Sequence, residues 1–192
     1  MRLVQRHTLS MLAVAGLALG GVSFAGNGHA QGVKTVGGAP MYPSRTIVQN
    51  AVNSKDHTTL VTAVKAAGLV DTLGTPGPFT VFAPTNKAFA KLPAGTVETL
   101  VQPQSKSMLT SVLTYHVVPG RYTSQDLMAL VKQGGGEAQL KTVQGNNLSV
   151  VPGRGGKSLF IADAKGNTSR ITVANVMQSN GVIHMVDTVV MP

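Results

Sequence analysis

Residues 79–89 read Phe79-Thr80-Val81-Phe82-Ala83-Pro84-Thr85-Asn86-Lys87-Ala88-Phe89. The β-branched and aromatic run 79–82, bounded by Pro78 and Pro84, reads as a short strand. Thr85 follows as a helix N-cap, because its hydroxyl can accept from backbone N–H groups two or three residues on. A short helix carrying Ala88 and Phe89 then begins. The chain therefore passes directly from a strand into a capped helix.

Upstream of this segment the spacing predicts helix from Ile47 to Leu69. Leu60, Val61 and Val64 share one face, Asp56 stands as the N-cap and Gly68 stops the run. Downstream, residues 93–101 and 104–114 read as two further helices, the second with Met108, Leu109, Val112 and Leu113 on its buried face. Tyr115-His116-Val117-Val118 reads as a strand ended by Pro119-Gly120. Thr123 and Asp126 form a capping box ahead of Leu127, Leu130 and Val131, and Gly134–Gly136 closes that helix. Beyond it the period becomes two: Leu140 and Thr142, Leu148 and Val150, Leu159 and Ile161, Ile171 and Val173, then residues 182–190. Turn signals at Gly145-Asn146, Gly153, Gly166-Asn167 and Asn180-Gly181 separate these strands. Helices in the first half and a β-meander in the second define an α+β domain.

The chain has 192 residues, 43% hydrophobic, which excludes a disordered protein. It has no cysteine, so it builds no disulfide scaffold, thiolate metal site or cysteine nucleophile. Aromatics are 4% and Trp is absent, a poor basis for stacking sugars or single-stranded nucleic acid. Lys and Arg number 16 against 7 Asp and Glu, a net charge of +9. The cations are scattered, with no run denser than Lys87 and Lys91 or Arg154 and Lys157. A nucleic-acid partner is not expected from that pattern. Attraction to an anionic envelope, an acidic polysaccharide or another cell surface suits it better.

Arg2 and Arg6 precede the uncharged apolar run Leu9–Ala25, and small residues follow at Gly28-His29-Ala30 and Ser23-Phe24-Ala25. Residues 1–30 read as a secretory signal peptide, cleaved after Ala30 or Ala25. The protein is then exported, secreted or periplasmic, and no other stretch is apolar enough to cross a membrane. Residues 31–41, small and Gly-rich, read as a flexible linker, which places the folded domain at 42–192.

Chemistry-bearing patterns are few. Gly156-Lys157-Ser158 resembles the end of a phosphate loop, but position 151 is Val and no helix follows. His57, His116 and His184 lack a second ligand at helical spacing. His184 and Asp187, three apart in a strand, face opposite ways and form no dyad. His116 and His184 lie in apolar strands and read as hydrogen-bonded core residues. There is no serine elbow and no close carboxylate pair. No enzyme, cofactor or metal site follows from these residues.

Three segments in register resemble the fasciclin domain family. Residues 79–89 resemble its first signature, Tyr115-His116 its central Tyr-His pair, and Asn180-Gly181-Val182-Ile183-His184-Met185-Val186-Asp187-Thr188-Val189-Val190-Met191-Pro192 its second signature. The likeness covers roughly residues 42–192 and is nearest to short single-domain secreted bacterial members. Lys87 stands where relatives often carry an acid. The resemblance implies helices packed against two small twisted β-sheets, with Phe82, Thr85, Asn86, Phe89, His184 and Asp187 as structural signature positions. It implies non-enzymatic adhesion to a cell-surface, envelope or matrix component, by a monomer without a cofactor. By position it makes Tyr115 and His116 candidate partner-binding residues. The alternative implied by some relatives is a carrier of an apolar ligand such as a carotenoid.

Overall fold

A computed structural model describes residues 32–192, and the expected signal peptide at 1–30 lies outside the described residues. The described chain opens with strands β1 (Lys34–Val36) and β2 (Ala39–Met41), paired antiparallel. Within the linker expected over residues 31–41, the stretch from Lys34 to Met41 is a hairpin. Gly37 and Gly38 both have positive φ, 57° and 77°, the conformation that a two-residue hairpin turn demands. Val36 and Met41 are buried, so the hairpin is anchored by its side chains.

The expected helix 47–69 is two helices with a break. Helix α1 (Ile47–Ala51) starts at a capping box between Thr46 and Gln49. A single 3₁₀ turn at Lys55–His57 leads into α2 (Thr58–Ala67), which Gly68 ends in the left-handed conformation. Asp56 does not cap α2, since it sits inside that turn. Then follow α3 (Val70–Gly74), β3 (Phe79–Pro84), α4 (Asn86–Phe89), α5 (Thr96–Leu100) and α6 (Lys106–Tyr115). Leu109, Val112 and Leu113 form the buried stripe of α6, whereas Met108 falls off its edge and is 63% exposed. Tyr115 and His116 belong to the end of α6, not to a strand: His116 is its C-cap, and β4 (Val117–Pro119) starts one residue later.

Helix α7 (Ser124–Gln133) carries the expected capping box, with Thr123 accepting from the Asp126 amide and the Asp126 carboxylate accepting from Thr123. The meander follows as β5 (Ala138–Lys141), β6 (Asn147–Pro152), β7 (Leu159–Ala162), β8 (Thr168–Gln178) and β9 (Gly181–Val186). The strand order is β4-β3-β9-β8-β7-β6-β5, with β3 and β9 parallel and every other pair antiparallel. The two expected small sheets are the two halves of this array, joined through the 11-residue β8. Register shifts between Ile171 and Val176 bend β8, and Asn175 takes φ 58° inside the bend. At the far side, the Val143 amide donates to the Val117 carbonyl at 2.8 Å, so the sheet nearly closes into a barrel.

Strands β3 and β9 are buried on both faces, as central parallel strands require. Phe82 and Val186 point into the barrel with Tyr115, Leu127, Leu148 and Ile161. Val81, Ala83, Ile183 and Met185 point the other way, under the β1–β2 hairpin and helices α1, α2 and α6. Burial of each large apolar side chain stabilises the domain by about 1.5–3 kcal/mol relative to exposure. At the start of β9 the backbones approach so closely that a Cβ on Gly181 would lie 2.1 Å from the Phe79 carbonyl oxygen. Only glycine fits there.

Candidate functional site

The first signature positions two helices. Thr85 accepts from the Ala88 amide at 3.3 Å and so caps α4, as its sequence context predicts. Asn86 caps a different helix: its Oδ1 accepts from the Thr59 amide at 3.0 Å, and its Nδ2 donates to Lys55 O at 2.8 Å and Thr58 Oγ1 at 2.9 Å. It supplies the N-terminal partner for α2 that Asp56 does not. Phe89 is buried beneath α4. Phe82 stacks on His184 across the parallel pair, with ring centroids 5.7 Å apart.

Tyr115 and His116, expected by position to meet a partner, are 0% and 3% exposed. Both are core residues with internal partners. Tyr115 donates from its hydroxyl to the Asn147 carbonyl at 2.8 Å. His116 Nδ1 lies 2.9 Å from the Val112 carbonyl, while its Nε2 accepts from the Val190 amide at 3.3 Å. Since one nitrogen must donate and the other must accept, the ring is neutral with its proton on Nδ1. It latches the C-terminal segment to the end of α6.

His184 performs the matching task on the other side. Its Nε2 donates to the Tyr122 carbonyl at 2.8 Å, and its Nδ1 accepts from the Asn175 amide at 3.4 Å. The Asn175 side chain in turn accepts from the Ser124 amide at 2.7 Å and donates to Ser124 Oγ at 2.8 Å. His184 thus ties the bend in β8 to the entry of α7. Burial pushes both rings down to about 4, more strongly than their carbonyl partners pull them up.

Asp187 does not meet His184. Its carboxylate accepts from the Arg170 amide at 2.9 Å and from Thr188 Oγ1 at 3.1 Å, and it pairs with Lys91 at 3.7 Å. Burial acts to raise its pKa, but these donors outweigh it and hold the carboxyl below the usual range. The second signature therefore fastens strands together.

Besides a groove of about 360 Å³ that Asn86, Lys91 and Asp187 line, two concavities offer places for a ligand. One is a small apolar cavity of about 60 Å³ under the hairpin, with Ile47, Leu60 and Met185 among its walls. His57 lines it, bonded through Nδ1 to Ser54 Oγ at 2.9 Å. Its Nε2 has no partner, alone among buried side-chain polar atoms of the described residues. Burial pushes this ring down too, against the upward pull of the Asp56 carboxylate.

The other is an open cleft of about 620 Å³ between α7 and strands β7–β8. Lys132, Lys157 and Arg170 border it, and no acidic residue lines it. Among the described residues the ion pair is Lys91–Asp187, so these three cations have no carboxylate partner. A scan for dense basic runs misses the cleft, because its cations are far apart in sequence and converge only through folding.

A near-closed sheet with a parallel β3–β9 core, clasped by short helices, is the architecture of the described residues. The profile of the Fasciclin domain matches residues 55–192, and the chain belongs to that family. It is 46% identical over 149 residues to Protein sll1483 of Synechocystis sp., covering 77% of this chain and 73% of that protein. It is 36% identical over 124 residues to Cell surface glycolipoprotein MPB83 of Mycobacterium bovis, covering 65% of this chain and 48% of the relative. The fold is similar to that of a FAS1 domain pair from the insect cell adhesion molecule fasciclin I, with TM-score 0.66 and 20% identity. That match covers 75% of this chain and 50% of the insect chain, so it spans half of the pair.

Proposed function

We propose that this chain is an exported, non-enzymatic adhesion module that binds an anionic component of a cell surface, envelope or matrix. The observation that carries the reading is the excess of cations over residues 32–192, 14 Lys and Arg against 7 Asp and Glu, with one ion pair among the described residues. Most of that positive charge is left to act outward. The mycobacterial relative is a cell surface glycolipoprotein, which supports the same setting. Polymers rich in carboxylate or sulfate are the natural counterpart, since attraction between exposed charges speeds encounter without demanding a deep pocket. Export through residues 1–30 brings the module to such a partner.

Retention on native cell envelopes tests this. Screening shortens the reach of exposed charges to about 8 Å at physiological salt and about 3 Å at 1 M. Retention is therefore expected to weaken steadily as salt rises from roughly 0.05 to 0.5 M. Binding that is absent at low salt, or indifferent to salt, would sink the proposal. Export is checked separately by the intact mass of the extracellular or periplasmic form, which is expected to begin at Gln31 or Gly26. Recovery of only the full-length chain in membranes would contradict it.

Carriage of a long apolar ligand is the weaker reading. Pockets that enclose such ligands run to roughly 300–1,000 Å³, whereas the apolar cavity here is about 60 Å³. Natively purified protein is accordingly expected to be colourless.

A further inference from the structure

The cleft between α7 and β7–β8 joins four features that rarely share one surface by accident. The first is convergent charge. Lys132 comes from the last turn of α7, Lys157 from the loop before β7, and Arg170 from β8. All three are exposed, and the acids nearest in sequence are otherwise engaged. Asp126 accepts from the Thr123 amide and hydroxyl, Glu137 from Ser149 Oγ, and Asp163 from Asn167 and Lys165 amides. Asp187 touches Arg170 only through the backbone amide and pairs with Lys91 instead.

The second feature is a set of neutral hydrogen-bonding groups between the charges. Ser124 and Gln125 begin α7, and Ser158, just before β7, and Thr172 on β8 face them. Ser124 Oγ and Gln125 Oε1 each take one hydrogen bond from Asn175, and both side chains keep a further lone pair or donor for a ligand. The third is an apolar floor of Met128, Leu159 and Ala174. The fourth is shape: about 620 Å³ of open groove lies within the range of ligand sites. Helical spacing explains one wall, since residues 124/125, 128/129 and 132 recur one turn apart on α7. Strand alternation explains the other, since Arg170 and Thr172 point outward while Ile171 turns into the core.

We infer that this cleft is the binding site for an acidic polysaccharide, with Lys132, Lys157 and Arg170 taking its carboxylate or sulfate groups. The inference rests on the adhesion reading and gives it a location. A sugar chain matches each feature in turn. Its acidic substituents answer the cations, its hydroxyls answer Ser124, Gln125, Ser158 and Thr172, and its C–H faces lie on the apolar floor. A flat anionic membrane would engage cations on a convex face and would leave the hydroxyl-lined interior of a groove unused. A duplex nucleic acid would need a longer basic track than three side chains supply.

The test uses the mature secreted protein with size-defined oligogalacturonate, the fully methyl-esterified oligomer of the same length, and vesicles containing phosphatidylglycerol. The acidic oligomer is expected to bind saturably at low salt and the neutral ester at least tenfold more weakly. The triple variant Lys132→Gln, Lys157→Gln, Arg170→Gln is expected to lose at least tenfold in affinity with an unchanged melting temperature. A control that removes equal charge elsewhere, Lys65→Gln, Lys141→Gln, Lys165→Gln, is expected to lose less than threefold. Single Lys132→Gln serves if the triple variant melts early.

Equal binding of the methyl ester, or equal losses in triple variant and control, would overturn the site. Vesicle binding as tight as oligosaccharide binding, and equally lost in the triple variant, would overturn the choice of partner. If the triple variant is retained on native envelopes like the parent, the cleft proposal falls and adhesion stands. If the parent itself is not retained, the adhesion reading falls.

Discussion

Acidification from pH 7 to pH 4 is expected to remove roughly 5–6 kcal/mol of stability through His116 and His184. Each ring titrates near 6.5 in the unfolded chain and near 4 in the folded one. Between those values the unfolded state binds the proton and the folded state does not, so stability falls as pH falls. The contribution is fully present above about pH 6.5 and is lost as pH falls through about 4. A shift of that size corresponds to about 3 kcal/mol for each ring. Against a typical total of about 5–15 kcal/mol, the two together are a large share of the stability.

The geometry explains why the rings resist protonation. A proton on His116 Nε2 would face the Val190 N–H, and one on His184 Nδ1 would face the Asn175 N–H. Each would replace a hydrogen bond with two opposed donors in a buried site. His57 shifts in the same direction, while Asp126, Asp163 and Asp187 are held below the usual carboxylate range and act only at lower pH. Urea unfolding at half-unit steps from pH 7.5 to 4 measures the slope. His116→Gln and His184→Gln are each expected to lower stability at pH 7 and to flatten the acid slope by about half. A parent slope near zero between pH 6.5 and 4.5 would show that the rings are not held neutral.

What the sequence reveals about this domain divides along the range of the interactions involved. Thr85 and Thr123 are legible as caps because their partners lie three residues away. The β5–β9 meander is legible because period-two alternation is a local pattern. The hairpin at 34–41 is written in Gly37-Gly38 flanked by Val36 and Met41, yet strands of three residues leave too little alternation to outweigh a Gly-rich composition. Asp56 is a reasonable local cap for α2, but Asn86 reaches that helix from 27 residues away in sequence. His116 and His184 are correctly read as core histidines from their apolar neighbours. The burial of Tyr115 and His116 against Asn147 and Val190 is not legible, because sequence spacing does not bring those partners near. The cationic cleft is hidden for the same reason, being assembled from a helix face, a loop and alternate residues of a strand.

Asn180 shows how much of the fold rests on one such long-range residue, and Asn180→Ala is expected to cost about 3–5 kcal/mol. In the sequence Asn180-Gly181 signals only a turn between β8 and β9. In the structure Asn180 is 5% exposed, and its side chain makes three hydrogen bonds to the backbone of remote segments. Oδ1 accepts from the Ile47 amide at 3.0 Å, holding the first turn of α1. Nδ2 donates to the Leu73 carbonyl at 2.8 Å and the Thr75 carbonyl at 2.9 Å, holding the end of α3. Its own carbonyl accepts from the Phe79 amide at 3.0 Å, at the start of β3. Alanine would leave a buried donor and two carbonyls without these partners, at about 1–3 kcal/mol for each group that finds no substitute. Aspartate separates hydrogen bonding from packing, because it keeps the shape and the acceptor for Ile47. Its second oxygen would face two carbonyls, so Asn180→Asp at pH 7 is expected to be at least as destabilising as alanine. Chemical denaturation of both variants measures this. An Asn180→Asp protein as stable as the parent would mean that Leu73 and Thr75 do not depend on the amide, and that α3 is held by its apolar contacts alone.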